Sequence, residues 1–174
     1  MSYFSDISKF SRTSDYLPIL NAAMIVDMIV ILMLERGFIR SKTLREWYNK
    51  FHLGAFIADV LSLVIGVVIA RFIYTYFGLS WSLLLFLIVV VLVQLTHDLV
   101  FSALFYNVPR GISSILDVFK DYANELGPRI LLADSQMMIG TVLLGSLFAS
   151  MSTNTNIVIL IFASYMVPYF LFSV

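Results

Sequence analysis

The sequence predicts an all-α protein, a polytopic integral membrane bundle of about five transmembrane helices with two amphipathic helices at the membrane surface. Three observations predict it. Of 174 residues, 60% are apolar and 13% charged, with a mean hydropathy of +0.94, whereas a soluble domain is about half apolar and about a quarter charged. Five apolar runs approach or exceed the roughly 20 residues that carry a helix across about 30 Å of hydrocarbon. Between them lie two stretches whose apolar residues recur at helical spacing. The whole chain, 1–174, reads as one membrane domain.

The first run, 17–34, follows a mixed-charge stretch, and no small-residue cleavage site comes after it. This predicts an anchor rather than a cleaved signal peptide, and a mature chain that is the whole chain. The second run is 53–77. The third, 79–106, would be about 42 Å long at 1.5 Å per residue, so it must tilt, protrude or break, with Pro109 as its latest stop. The fourth is 130–148. The fifth, 157–174, contains Pro168, which a membrane helix tolerates where neighbours satisfy the freed carbonyl; four spans plus a re-entrant tail is the alternative.

The two intervening stretches, 38–51 and 111–127, read as interfacial helices. In the first, Leu44, Trp47, Tyr48 and Phe51 form a stripe behind a candidate N-cap at Ser41. In the second, Ile112, Ile115, Phe119, Tyr122 and Leu126 face one way, and Asp117, Lys120, Asp121, Asn124 and Glu125 the other. Such helices lie in the headgroup region, dock on a partner, or merely close the bundle mouth. Eight of the eleven basic residues fall in the loops that contain these stretches, 35–52 and 107–129: Arg36, Arg40, Lys42, Arg45, Lys50, Arg110, Lys120 and Arg129. Because Lys and Arg are retained on the cytoplasmic side, the N-terminus is expected outside or lumenal and the C-terminus in the cytoplasm. Arg71, near the opposite end of the second span, is expected to snorkel.

Two sets of residues stand out within the spans. Gly54, Ala58, Ser62, Gly66 and Ala70 recur at an unbroken four-residue spacing, and Thr141, Gly145 and Ala149 repeat the idea in the fourth span. Small residues let helix backbones approach closely, so the second and fourth spans are expected to form the inner seam. The partner helix could equally belong to a second copy of the chain. The other set is acidic. Asp27, Asp59, Asp98 and Asp134 occur one in each of the first four spans, roughly 6 to 12 Å deep from the basic side, and Gln94 and His97 join them. Insertion scales charge about 2.5–3.5 kcal/mol for an aspartate at a helix centre, which makes a role for each expected.

Three readings of this polar layer stay open. Hydrogen-bonded acids can stitch helices together. Carboxylates and His97 can line a path for protons or cations. Aspartates with one imidazole can hold a metal, although no HExxH or paired-histidine spacing supports it, and no metal or other cofactor is expected. If the third span ends near Val100, His97 and Asp98 lie at the interface; Asp27 is the acid expected to be buried. The chain also carries a faint repeat, in which Asp27, Arg36–Gly37 and Asp59 parallel Asp98, Arg110–Gly111 and Asp134. There is no catalytic set: no nucleotide loop, no GxSxG and no cysteine at all, which also excludes disulfides and thiol chemistry. The expectation is therefore not an enzyme.

Residues 97–140 read HDLVFSALFYNVPRG, then ILDVFKDYANELG, then ILLADSQMMIG. This succession of a span, a VPRG turn, an acidic-basic amphipathic helix and an Asp-containing span resembles small multi-span membrane proteins encoded by large icosahedral double-stranded DNA viruses. It covers about a quarter of the chain, and residues 1–90 add nothing to it. The resemblance implies a structural component of a virion's internal membrane, contacting minor capsid or scaffold proteins, and brings no catalytic residues.

Overall fold

A computed structural model describes residues 4–172, and in them the chain is helical with no strand. After a short turn at Thr13–Asp15 come α1 (Tyr16–Glu35), α2 (Lys42–Phe51), α3 (Leu53–Tyr76), α4 (Leu83–Asn107), α5 (Ser114–Leu126), α6 (Arg129–Phe148) and α7 (Thr153–Leu171). Five of these, α1, α3, α4, α6 and α7, are long and apolar enough to cross a membrane. The protein is an integral membrane bundle with two shorter helices set across one end.

Among the described residues serine caps set four of the seven helix starts, Ser82 at α4 included. Ser41, Ser113 and Ser152 each accept a hydrogen bond from a backbone N–H in the first turn of α2, α5 and α7, satisfying a donor that the helix leaves free. Ser152 starts α7 four residues ahead of the apolar run. Between α3 and α4 the third span begins later than residue 79, because Tyr74 ties down the approach: its hydroxyl donates to the Ser80 carbonyl at 2.6 Å and accepts from Ser82 N at 3.1 Å. Helix α4 then ends ahead of Pro109. Of the last span, residues 173–174 lie outside the described residues. The two turns of the faint repeat share a conformation, with Gly37 at φ 75° and Gly111 at φ 88°, a region that only glycine enters without a steric penalty.

Helix α1 is the hub. It packs against α3, α6 and α7, while α4 closes the bundle against α3 and α6. The inner seam therefore differs from the expected one: α6 meets α1 rather than pairing chiefly with α3. Gly145 lies over Ile19 and Ala22, and Gly140 over Val26, so the small face of α6 admits α1 closely. Thr141 is fully buried there, and Ala149 is half-buried. On α3 only the far half of the stripe is enclosed. Gly66 and Ala70 are buried, whereas Gly54, Ala58 and Ser62 are exposed, the last two lining an open cleft beside Val93 and His97 of α4. Large apolar side chains such as Ile65, Phe72, Leu84, Leu92, Ile161 and Phe162 also point outward, as surfaces that meet lipid do.

At Gly66 the approach of α3 to its neighbours is close. A Cβ there would lie 2.7 Å from Met138 Cε and 3.7 Å from Gln94 Oε1. Gly66→Ala should be nearly neutral, because the end of a methionine side chain moves aside. Gly66→Val should lower stability by about 1–3 kcal/mol, the usual cost of overpacking. Thermal unfolding of both variants in detergent checks this, and equal melting temperatures for the two would show an open seam.

Candidate functional site

The polar layer forms where α2 and α5 lie across the bundle end. Asp27 of α1 is wholly buried, and its Oδ1 accepts from Tyr48 Oη at 2.8 Å. Asp59 of α3 accepts from Trp47 Nε1 at 2.9 Å. Both donors sit on the stripe of α2, whose aromatic bodies fill apolar space while their polar tips reach the acids. The Trp47 ring also packs, tilted, against Phe51 and against Phe119 of α5, with ring centroids 4.9 and 5.0 Å away. Burial first, and then the neighbouring carboxylates of Asp59 and Asp27, push the Tyr48 hydroxyl well above its ordinary value. Tyr48 therefore remains a donor across the physiological range.

The remaining members group differently. On α4, Gln94 Nε2 donates to Asp98 Oδ1 at 2.7 Å, and His97 Nδ1 lies 3.2 Å from the same oxygen. Gln94 is buried, and His97 is exposed. Asp134 of α6 is half-buried, within electrostatic range of Asp98 and Asp59. The four aspartates thus divide: Asp27 and Asp59 are bonded to α2, Asp98 to Gln94 of its own helix, and Asp134 is half-buried on α6. Asp27 Oδ2 and Asp98 Oδ2 are both buried without a hydrogen-bond partner. Among the described residues no three of these side chains converge as metal ligands.

Helices α2 and α5 are joined into one plate by Glu125. Its carboxylate accepts from Lys42 N at 2.7 Å, Thr43 N at 2.8 Å and Ser41 Oγ at 3.2 Å, so α5 caps the N-terminus of α2 across 84 residues of sequence. Lys120, which spacing places on the polar face, is instead buried and donates to the Val108 carbonyl. Asp117 accepts from Gly111 N at 2.8 Å, and Arg110 donates to Asp121 at 2.7 Å. These bonds hold α5 against the turn that precedes it.

Desolvation alone would raise the Glu125 carboxyl, but its bonds to Thr43, Lys42 and Ser41 outweigh that and hold it below the ordinary value of 4.5. A carboxyl lowered by folding stabilises its contact fully above the ordinary value and loses that contribution as pH falls through the lower folded one. The joint between α2 and α5 should accordingly hold at neutral pH and loosen only under acid. Trp47 fluorescence in a Trp81→Phe background should report this transition, and Glu125→Gln should abolish its pH dependence. An unchanged acid transition in that variant would assign it to another group.

A second polar cluster, at the opposite end of the bundle, carries no signal in the helical spacing. Arg71 of α3 does not snorkel outward but is fully enclosed by the chain that precedes α1. Its Nη2 donates to the carbonyls of Lys9 and Arg12 and to Asp15 Oδ2 at 3.2 Å, and its guanidinium carbon lies 4.6 Å from the centre of the Tyr16 ring. Arg12 Nε binds the same Asp15 oxygen at 2.8 Å. A cation at a span end with few acids in its own loop, and Asp15 just ahead of the first span, was the readable hint.

No family model matches the chain, and neither a curated protein nor a solved structure matches it significantly.

Proposed function

We propose that the protein is a structural, assembly-type membrane component, whose five spans anchor a plate made of α2 and α5 as a docking surface for another protein. One observation carries this reading. Two of the four intramembrane acids are engaged by Tyr48 and Trp47, side chains of the plate itself, so the layer works as a clamp between surface and bundle. Removing either donor leaves a buried acceptor unsatisfied, which makes the plate's position specific. The basic residues of the two loops put this plate on the cytoplasmic side by the positive-inside rule. The resemblance of residues 97–140 to viral membrane proteins favours a capsid or scaffold protein as the partner and a virion's internal membrane as the location.

Purification of the native assembly tests the proposal: the protein should come out in a stoichiometric complex with a non-membrane partner. Asp27→Asn should retain that complex, since an amide oxygen still accepts from Tyr48. Loss of the complex in this variant, or a protein that is always isolated alone, speaks against the reading.

A second reading, proton or cation translocation through the acidic layer, draws on the buried and unpartnered oxygens of Asp27 and Asp98. It requires a flux in proteoliposomes that Asp27→Asn abolishes. Wild-type vesicles no leakier than empty ones would remove it.

A further inference from the structure

The turn between α1 and α2 forms a shallow cleft of about 720 Å³, lined by Arg36, Arg40, Ser41, Lys42, Arg45 and Glu125. Its charges are unequally used. Arg45 donates to the Leu34 carbonyl at 3.0 Å and lies 3.7 Å from Glu35, and the Glu125 carboxylate is taken up by the first turn of α2. Among the described residues, Arg36, Arg40 and Lys42 have no side-chain hydrogen bond or ion pair, and all three are exposed. The matching turn of the other hairpin is different, because there Arg110 is neutralised by Asp121.

The cleft also has an apolar edge. Phe38, at the tip of the turn, is 78% exposed, and Leu32 and Met33 beside it on α1 are each 40% exposed. This edge continues the surface of a membrane span, so it faces acyl chains while the cations above it stand at headgroup level. Uncommitted guanidinium and ammonium groups over an exposed hydrocarbon-facing edge match an amphiphile with an anionic head. Arginine in particular fits phosphate oxygens in a bidentate manner.

We propose that this cleft binds the phosphate headgroup of an anionic phospholipid, with Arg36, Arg40 and Lys42 on the phosphate and the acyl chains along Phe38 and Met33. The site is independent of the assembly role proposed above and requires only that the chain sits in a bilayer. Free phosphate shares the headgroup chemistry but not the apolar edge.

The test uses the full chain in a neutral detergent, with thermal unfolding measured against added dioctanoyl phosphatidic acid, dioctanoyl phosphatidylcholine or inorganic phosphate. The anionic lipid should raise the melting temperature, with little response to phosphatidylcholine or phosphate. In the R36Q/R40Q/K42Q variant the apparent affinity should fall by more than tenfold, each cation near a charged lipid surface being worth about fivefold, whereas Arg110→Gln should respond like the wild type. Equal stabilisation by phosphatidylcholine, or an unaltered affinity in the triple variant, overturns the site; equal stabilisation by inorganic phosphate overturns the lipid assignment. Should the triple variant not fold, the wild type decides alone. A response to phosphatidic acid that does not weaken as salt rises would then overturn the proposal.

Discussion

Replacing Asp15 by alanine is expected to destabilise the bundle by about 3–5 kcal/mol, the range for removing one partner of a buried ion pair. Among the described residues Asp15 is the sole carboxylate paired with Arg71, whose side chain is wholly buried, and its Oδ2 also accepts from Arg12. Without it the Arg71 guanidinium keeps only two backbone carbonyls and the Tyr16 ring. Carbonyls orient a cation but do not neutralise it, and Arg71 Nε and Nη1 already lack partners in the intact cluster.

Much of the loss should be recovered when the cation goes too. Arg71→Met retains an unbranched side chain of similar reach and removes the charge, and replacing buried ion pairs by apolar residues is often neutral. The double variant, D15A/R71M, should therefore be more stable than Asp15→Ala alone. Thermal unfolding in detergent measures all four proteins as one cycle. If Asp15→Ala melts with the wild type, water reaches Arg71 and the cluster contributes little.

This cluster also shows where reading from sequence stops. The spans were legible because a bilayer demands a run of about 20 apolar residues, which is a local property. The surface helices were legible because Trp47, Tyr48 and Phe51, or Ile115, Phe119 and Tyr122, repeat at the helical period. Neither signal says which helix meets which. In water an outward face must be polar, but in lipid Leu92 facing outward and Val90 facing inward are equally apolar, so periodicity does not mark the core.

The small-residue stripe of α3 illustrates the same limit. Small residues permit close approach, but Gly54, Ala58 and Ser62 stay exposed, while Gly145 is enclosed against Ile19 and Ala22. Chain direction and turn geometry select the pairs that form. The acids are the counterpart: counting residues from the basic loops predicts a common layer but says nothing of their donors. Tyr48 and Trp47 lie 21 and 12 residues from Asp27 and Asp59, joined by a fold-back that no local pattern records. What could have been read is that an amphipathic stripe rich in Tyr and Trp brings donors as well as surface.

The clamp on α2 yields the other large effect. Tyr48→Phe removes one oxygen and keeps the ring, so any change reports the bond to Asp27 rather than packing. Asp27 Oδ2 already lacks a partner, and the substitution leaves Oδ1 unsatisfied as well. A buried acceptor without its donor costs about 1–3 kcal/mol, more where it is charged, so Tyr48→Phe should cost about 2–4 kcal/mol. It should also expose the turn at 36–41 to protease, since α2 loses its tie to α1. Removing both partners together should restore much of the loss: Asp27→Leu with Tyr48→Phe puts apolar groups of similar size in contact, and such exchanges are often close to neutral. Asp27→Asn alone should cost less than Tyr48→Phe, because its amide oxygen still accepts. The ordering expected from unfolding in detergent is therefore wild type, then Asp27→Asn, then Tyr48→Phe, with the double variant above the last. A Tyr48→Phe protein as stable and as protease-resistant as the wild type would mean that the plate is held by Trp47, Phe119 and Glu125 without the Asp27 clamp.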